Sequence, residues 1–329
     1  MIDRLLLPTS AVAPTRDPVC IDLRPAAAYR RGHRAGSANV PLEDLETRLF
    51  ELPPPGEWAL TLVGAREDLA SARAFLGPKG WQADEADIAL PSVARSLTAV
   101  GNAERGARSP FRPNAFLAAA LEALTLSGTG ALNGANESGL SLDLGCGSGR
   151  DAVYLARALA PHTPAWRVRG VDNHGGALVR ARSLAERELD EARPDVAPPD
   201  EASPAAPDLR CDFVHADLRK AGGLEAAVSA APPVRLVHGC RWLDLSVLSR
   251  LPSLLAPGGV LLWSTFLDPV DGEPLRPPYR RSRRLARGQM AELLGGQHGM
   301  RVLLDQEGEL LTRGEWIPAQ HFVAVRPHH

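Results

Sequence analysis

The sequence predicts an α/β chain in two parts, an open parallel sheet over most of its length preceded by a smaller α/β unit. Three observations carry that expectation. Residues 140–151, LSLDLGCGSGRD, read as a buried strand running into a glycine turn and then an amphipathic helix over 151–159. Further apolar runs at 166–171, 211–218, 234–239 and 260–265 alternate with helical stretches, the spelling of parallel strands joined by crossover helices. Ahead of them, residues 19–95 repeat the alternation on a smaller scale. A length of 329 residues favours two domains.

The glycine turn is the organising stretch. Gly145, Gly147 and Gly149 occupy alternate positions, and the acid Asp143 stands two residues before the first. Glycines permit tight turns and let a ligand approach the main chain, while the start of the following helix offers free N–H groups. The dinucleotide fingerprint G-x-G-x-x-G would need its third glycine at position 150, which is Arg150. The string D-x-G-x-G-x-G departs from that spacing; by itself it reads as a glycine turn that a nucleoside cofactor or any strand–turn–helix connection can use.

Composition narrows the field. With 44% hydrophobic and 23% charged residues and a net charge of -2, the chain reads as an ordinary globular protein. That charge argues against a nucleic-acid partner. Apolar runs such as 260–263 are too short to span a bilayer, and the first residues show no signal-peptide pattern, so no membrane partner and a cytoplasmic location are expected. Cys20, Cys146, Cys211 and Cys240 form no C-x-x-C and are expected to be reduced thiols. His238 and Cys240 share a strand face without further ligand types nearby, so no metal site is expected.

In the smaller unit, 19–23 reads as a buried strand, 42–52 as a helix, 58–63 as a strand and 68–76 as a helix. The string Ile21-Asp22-x-Arg24, then Tyr29, then G-H-x-x-G-S-x-N-V-P over 32–41, resembles the rhodanese-like domain, and the resemblance covers residues 19–95. It implies a persulfide-carrying cysteine in the loop after the 58–63 strand. That loop reads Val63-Gly64-Ala65-Arg66-Glu67-Asp68 and has none; its two acids would repel a thiolate. Cys20 lies inside the first strand as a small hydrophobe. The unit, assigned to 1–95, is expected to be catalytically silent, a docking or self-association module. Residues 96–110 are expected to be a linker and 111–329 the second domain.

Asn114 is placed to cap a helix beginning at 115. After the glycine-turn helix, the strand over 166–171 ends in Asp172-Asn173, where an acid can accept from ribose hydroxyls or cap the helix over 175–189. Residues 190–210 are rich in proline, alanine and aspartate and read as an exposed insertion. The strand over 211–218 carries His215, expected to be a satisfied histidine, and ends at Asp217-Leu218. The strand over 234–239 leads to Arg241 and Trp242, at the end of the sheet where ligands bind. A helix over 245–255 and the turn Ala256-Pro257-Gly258-Gly259 follow. Beyond the next strand lie Tyr279 and an arginine run from 276 to 287, then a helix over 287–294 and strands near 300–304 and 320–325.

The order of D-x-G-x-G-x-G, Asp172, Asp217 and the L-x-P-G-G turn resembles the class I S-adenosylmethionine-dependent methyltransferases. The strings F-R-P-N-x-F-L over 111–117, G-C-G-S-G-R-D-A-V-Y-L-A from Gly145 and R-G-Q-M-A-E-L-L from Arg287 are similar to its tellurite-resistance and thiopurine-like branch. The resemblance implies a Rossmann-like, seven-stranded sheet and S-adenosylmethionine as cofactor. It implies a cofactor site of Asp143, Gly145, Cys146, Gly147, Gly149, Asp172, Asn173, Asp217 and Leu218, with Asp217 and Leu218 facing the adenine. Methyl transfer to a small molecule by in-line displacement follows. No base stands at a matched position, which favours a soft sulfur or chalcogen nucleophile or an anionic one. Arg241 and Tyr279 are the candidate catalytic groups, with Glu307 and Glu309 beside them. The alternatives are a protein that binds S-adenosylmethionine without turnover, a rhodanese-type sulfurtransferase, which the missing cysteine disfavours, and a nicotinamide oxidoreductase, which the glycine spacing disfavours.

Overall fold

The structure is a computed structural model and describes residues 18–56, 58–99, 109–126, 137–163, 165–190, 210–270, 272–276, 280–312 and 315–328. The chain forms two compact units. One takes in the described residues up to Arg112 with Leu311–Trp316; the other takes in Pro113–Leu310 with Ile317–His329. No helix among the described residues is long and apolar enough to cross a membrane.

In the first unit β1 (Val19–Asp22), β3 (Ala38–Asn39), β4 (Leu60–Gly64) and β5 (Ala83–Asp87) form a parallel sheet in the order β3-β1-β4-β5. β2 (Gly32–Arg34) pairs antiparallel with β6 (Leu97–Ala99). The helix Arg66–Leu76 buries Leu69, Ala72 and Leu76, spaced to share one face, in the same core as Ile21 and Leu62. The letters singled out between 21 and 41 act as internal bolts. Arg24 grips Asp22 through Nη2–Oδ2 at 2.6 Å and reaches the Gly32 carbonyl at 2.8 Å. Asn39 donates to the carbonyls of Asp22 and Arg24 at 2.9 and 2.8 Å, Tyr29 donates to Ser37 O at 2.7 Å, and His33 stacks on Tyr29 at 3.9 Å. Each satisfies backbone or charge that burial would otherwise leave unpaired.

Three expectations need correction here. Residues 42–52 form two short 3-10 turns, Leu42–Asp44 and Leu49–Glu51, in place of one helix. Leu42, Leu45, Leu49 and Leu52 recur at the three- and four-residue spacings of a helix, yet each turn closes after three residues, and Leu45 and Leu52 are buried. Glu51, fully buried, is held by Arg48 at 2.7 Å. The acidic stretch Ala83–Asp87 is a strand the sequence pattern hides; at the sheet edge its charges can face outward. Leu97–Ala99, in the stretch expected to be linker, is a strand; residues 100–108 lie outside the described residues.

The second unit is built on β7 (Gly139–Leu144), β8 (Trp166–Asp172), β9 (Cys211–His215), β10 (Val234–Cys240), β11 (Leu255–Leu267), β12 (Arg284–Leu285), β13 (Arg301–Thr312) and β14 (Glu315–Val325). The order is β13-β14-β11-β10-β7-β8-β9, with β12 paired to the end of β11, so the sheet has eight strands against the expected seven. β7 to β11 run parallel and β14 antiparallel to β11. The chain steps outward from β7 through β8 to β9, then returns to lay β10 on the other side of β7. Such a reversal opens a crevice beyond the carboxyl ends of the strands. Gly239 lets the Trp263 indole lie across the neighbouring strand, since a Cβ there would come within 2.4 Å of the ring.

The helix expected over 245–255 is two short ones, Leu245–Leu248 and Leu251–Leu254; Pro252 has no N–H to continue the first. The helix expected at 287–294 falls at Ala291–Gln297 as a wide π-type turn. The insertion expected at 190–210 lies, over 191–209, outside the described residues.

If Asn39 is a structural bolt, Asn39→Ala strands two carbonyls and should cost about 1–3 kcal/mol. Urea denaturation of the full chain checks this; an unchanged midpoint for the first unit would contradict it.

Candidate functional site

The glycine turn joins β7 to the helix Arg150–Leu159. Gly145, Gly147 and Gly149 adopt φ of +74°, +55° and +78°, where an L side chain is strained. Their surroundings differ. A Cβ at Gly145 would come within 2.8 Å of Trp242, and one at Gly149 within 2.7 Å of Ala181 and 2.9 Å of Phe213. A Cβ at Gly147 would meet nothing within 4 Å. Two of the glycines thus serve packing, and Gly147 borders open space. The turn is fixed to β8: the N–H groups of Gly145 and Cys146 donate to Val171 O at 2.8 and 3.1 Å. Asp172 Oδ2 accepts from Gly147 N–H at 2.9 Å, and its Oδ1 accepts from His174 N–H at 2.8 Å ahead of the helix Gly175–Asp190.

A cavity of about 220 Å³ opens beside this turn, at the carboxyl ends of β7, β8, β9 and β10. Of the residues named from sequence, Gly145, Asp172, Asn173, Asp217, Leu218 and Arg241 line it. Leu218 is buried and supplies apolar wall, while Asp217 Oδ1 accepts from Arg219 N–H at 3.2 Å. Trp242 closes one side, edge-on to Trp263 with ring centres 5.9 Å apart. Arg219 lies 5.9 Å over the Trp242 ring and 3.5 Å from Asp244. Arg241 has φ +58°, a conformation costing a non-glycine residue about 1–2 kcal/mol. Its Nε is buried without a hydrogen-bond partner.

Asp143, Cys146, Gly147 and Gly149 do not line the cavity, and Tyr279 lies outside the described residues. Glu307 is paired with Arg287 at 3.0 Å. His215 is exposed, its Nε2 3.0 Å from Asn173 O. Sequence reasoning missed Arg219 and Leu243 in the lining, while Arg283 comes from the arginine run between 276 and 287; the tip position of Arg219, two residues past Asp217, was the available signal for it. Among the described residues no cluster of three or more His, Cys, Asp or Glu could hold a metal ion.

Beneath the turn runs a buried polar network. Asp143, on β7, receives the Ala152 N–H of the following helix, yet its Oδ2 has no partner. Asp151 Oδ2 meets His238 Nε2 at 3.2 Å, and its Oδ1 accepts from Asn114 N–H at 2.9 Å. Asn114 caps its own helix by accepting from Leu117 N–H at 3.1 Å and donates to Cys240 Sγ at 3.0 Å. Burial pushes the Asp143 carboxyl up to about 7, against the pull of His238. Burial works to lower His238, but the Asp151 hydrogen bond and the charges of Asp143 and Asp151 outweigh it and leave its pKa raised. Burial also raises the thiols of Cys146, Cys211 and Cys240, which stay protonated at neutral pH.

These shifts give the second unit a pH dependence. Folded Asp143 keeps its proton to about 7 and unfolded Asp143 only to about 3.8, so stability falls as pH rises through that window. His238 adds to the fall: its share is present below 6.5 and lost as pH climbs through its raised folded value. Asp151, held low, works in the opposite sense: its share is present above 3.8 and is lost as pH falls below it. Asp143→Asn should therefore flatten the decline in urea midpoint between about pH 4 and 7. A decline as steep as in the parent chain would contradict this.

No protein-family model matches this sequence, and no curated protein matches it. Solved structures do. The magnesium protoporphyrin IX methyltransferase of Synechocystis PCC 6803 with bound S-adenosylmethionine is 19% identical, over 64% of this chain and 77% of that one, with a TM-score of 0.40. TehB from Haemophilus influenzae is 18% identical over 58% of each chain, at 0.41. Human N-acetylserotonin methyltransferase in complex with S-adenosylmethionine is 19% identical over 64% of this chain and 55% of that one, at 0.33. At such distances a functional reading must come from this chain's own cavity.

Proposed function

We propose that the second unit is an S-adenosylmethionine-dependent methyltransferase acting on a small molecule. The observation that carries this reading is a convergence. Gly145, Asp172, Asn173, Asp217 and Leu218, drawn from three separate strand ends, line one cavity where the strand order reverses. Those are residue types an adenosyl group needs. Asp172 keeps carboxylate lone pairs beyond those taken by Gly147 and His174, and these can accept from ribose hydroxyls. Leu218 offers an apolar face for the adenine, with Asp217 beside it as an acceptor for its amino group. The empty space over Gly147 leaves the main chain open to close approach.

The cofactor, when bound, supplies a methyl group on a sulfonium that is its own leaving group. The chain's part is alignment and exclusion of water. Trp242 and Leu218 form the apolar walls, and Asp172 ties the glycine turn to the end of β8. Among the described residues lining the cavity no histidine stands as a base, which supports an acceptor that is already a nucleophile, a soft sulfur or chalcogen group or an anion. Arg241 is the polar group we place toward that acceptor.

The first unit we read as a rhodanese-like module without sulfurtransferase chemistry, spanning residues 1–95, a place for a protein partner or for self-association. The stretch Gly64-Ala65-Arg66 between β4 and its helix has no cysteine, and Glu67 and Asp68 occupy the helix's first turn. Cys20 lies on β1, where burial raises its thiol pKa.

Asp172→Asn keeps one acceptor oxygen but loses the charge facing the ribose. We expect S-adenosylhomocysteine to bind the variant about tenfold or more weakly by calorimetry, with folding preserved in circular dichroism. Equal affinity in both proteins would remove Asp172 from the site.

A further inference from the structure

Arg241, half-buried and without a side-chain partner among the described residues, is set apart from the paired arginines of its unit. Arg157 pairs with Glu188 at 2.8 Å, Arg169 with Asp212 at 2.6 Å, Arg287 with Glu307 at 3.0 Å, and Arg250 with Glu225. The Arg241 guanidinium has no hydrogen bond or ion pair among the described residues, although its Nε is buried. The acids that share its cavity are engaged elsewhere. Both oxygens of Asp172 take backbone N–H groups, and Asp217 takes the N–H of Arg219, whose own guanidinium leans on Asp244. Arg283, exposed at the rim, adds a second positive charge.

The backbone gives the same indication independently. Arg241 and Ala230 are the non-glycine residues with positive φ among those described. The Arg241 N–H is fixed to Ser264 O at 2.8 Å, so the conformation is pinned where β10 leaves the sheet. A glycine would hold this conformation without strain. A half-buried guanidinium in a cavity wall, with no ion partner among the described residues and held on a strained backbone, suits contact with an anionic ligand.

We propose that Arg241 anchors an oxyanion group, a carboxylate or an inorganic oxyanion, taken up in this cavity. The planar guanidinium presents parallel N–H donors that match such a group in two-point contact. The inference rests on the methyltransferase reading for its meaning: the anion would lie next to a sulfonium, whose positive charge it also balances. Two sources share this chemistry, the amino-acid carboxylate of the cofactor and an anion on the methyl acceptor.

The experiment uses the full chain and its Arg241→Gln and Arg241→Gly variants, titrated calorimetrically with three probes. These are S-adenosylhomocysteine, 5′-methylthioadenosine, which lacks the carboxylate, and inorganic sulfate added to the protein with and without S-adenosylhomocysteine. In Arg241→Gln we expect 5′-methylthioadenosine to bind within about twofold of the parent. S-adenosylhomocysteine weakened about tenfold or more assigns the cofactor carboxylate. Unchanged S-adenosylhomocysteine with sulfate binding lost assigns the acceptor anion. No change with any probe would overturn the proposal. Arg241→Gly should melt no lower than the parent chain, since glycine relaxes the turn; a clear drop would make Arg241 structural and would also overturn it. If the parent chain bound neither adenosyl compound, the methyltransferase reading would fail. Sulfate binding lost from Arg241→Gln would, in that case, still support the anchor.

Discussion

The carboxylate of Asp172 holds the site together. One oxygen takes the N–H of Gly147 and the other the N–H of His174, so a single side chain ties the glycine turn after β7 to the end of β8. Charge-assisted bonds of this kind are about twice as strong as neutral ones, and here they brace backbone that would otherwise be free to move. With the turn fixed, Gly145 can rest against Trp242, and Gly149 allows the helix Gly175–Asp190 to come close through Ala181. The crevice at the strand reversal then has a rigid floor. Preorganisation on strand ends suits a reaction in which alignment is most of the protein's task.

Beneath that floor the interior is unusually polar. Asp143, Asp151 and His238 lie in or against the sheet, and Asn114 carries the network to Cys240 and to the start of its own helix. A buried group of this kind contributes little net stability, because removing the charges from water offsets their attraction. What it supplies is register. The helix Ala115–Leu126, the helix Arg150–Leu159 and β10 are linked by bonds that form in one arrangement only.

Where local pattern and tertiary demand agree, the sequence was legible. The alternating glycines, Asp172 at the end of β8 and Asp217-Leu218 beyond β9 follow from strand–turn–helix chemistry, and Gly145, Asp172, Asn173, Asp217, Leu218, Arg241 and Trp242 meet at one cavity. The failures have physical causes. Leucines three and four residues apart over 42–52 spell a helix, but the segment closes only short 3-10 turns, and Pro252 divides the segment read as a single helix. β5 is acidic and gains its strand character from pairing with β4 at the sheet edge, a non-local fact. Asp143 is outside the cavity lining and receives the helix N–H of Ala152, a contact the strand pattern does not show. The positive φ of Arg241 leaves no mark on composition or periodicity, since arginine is not a residue one expects there.

The most direct test of the central claim is calorimetric titration of the full chain with S-adenosylmethionine, S-adenosylhomocysteine and NAD, beside a Gly147→Asp variant. The account predicts binding of both adenosyl compounds in the micromolar range, none of NAD, and loss of binding in the variant, whose side chain at φ +55° strains the turn that carries Gly145 into the cavity. Binding of NAD alone, or binding of the adenosyl compounds untouched by Gly147→Asp, would contradict it.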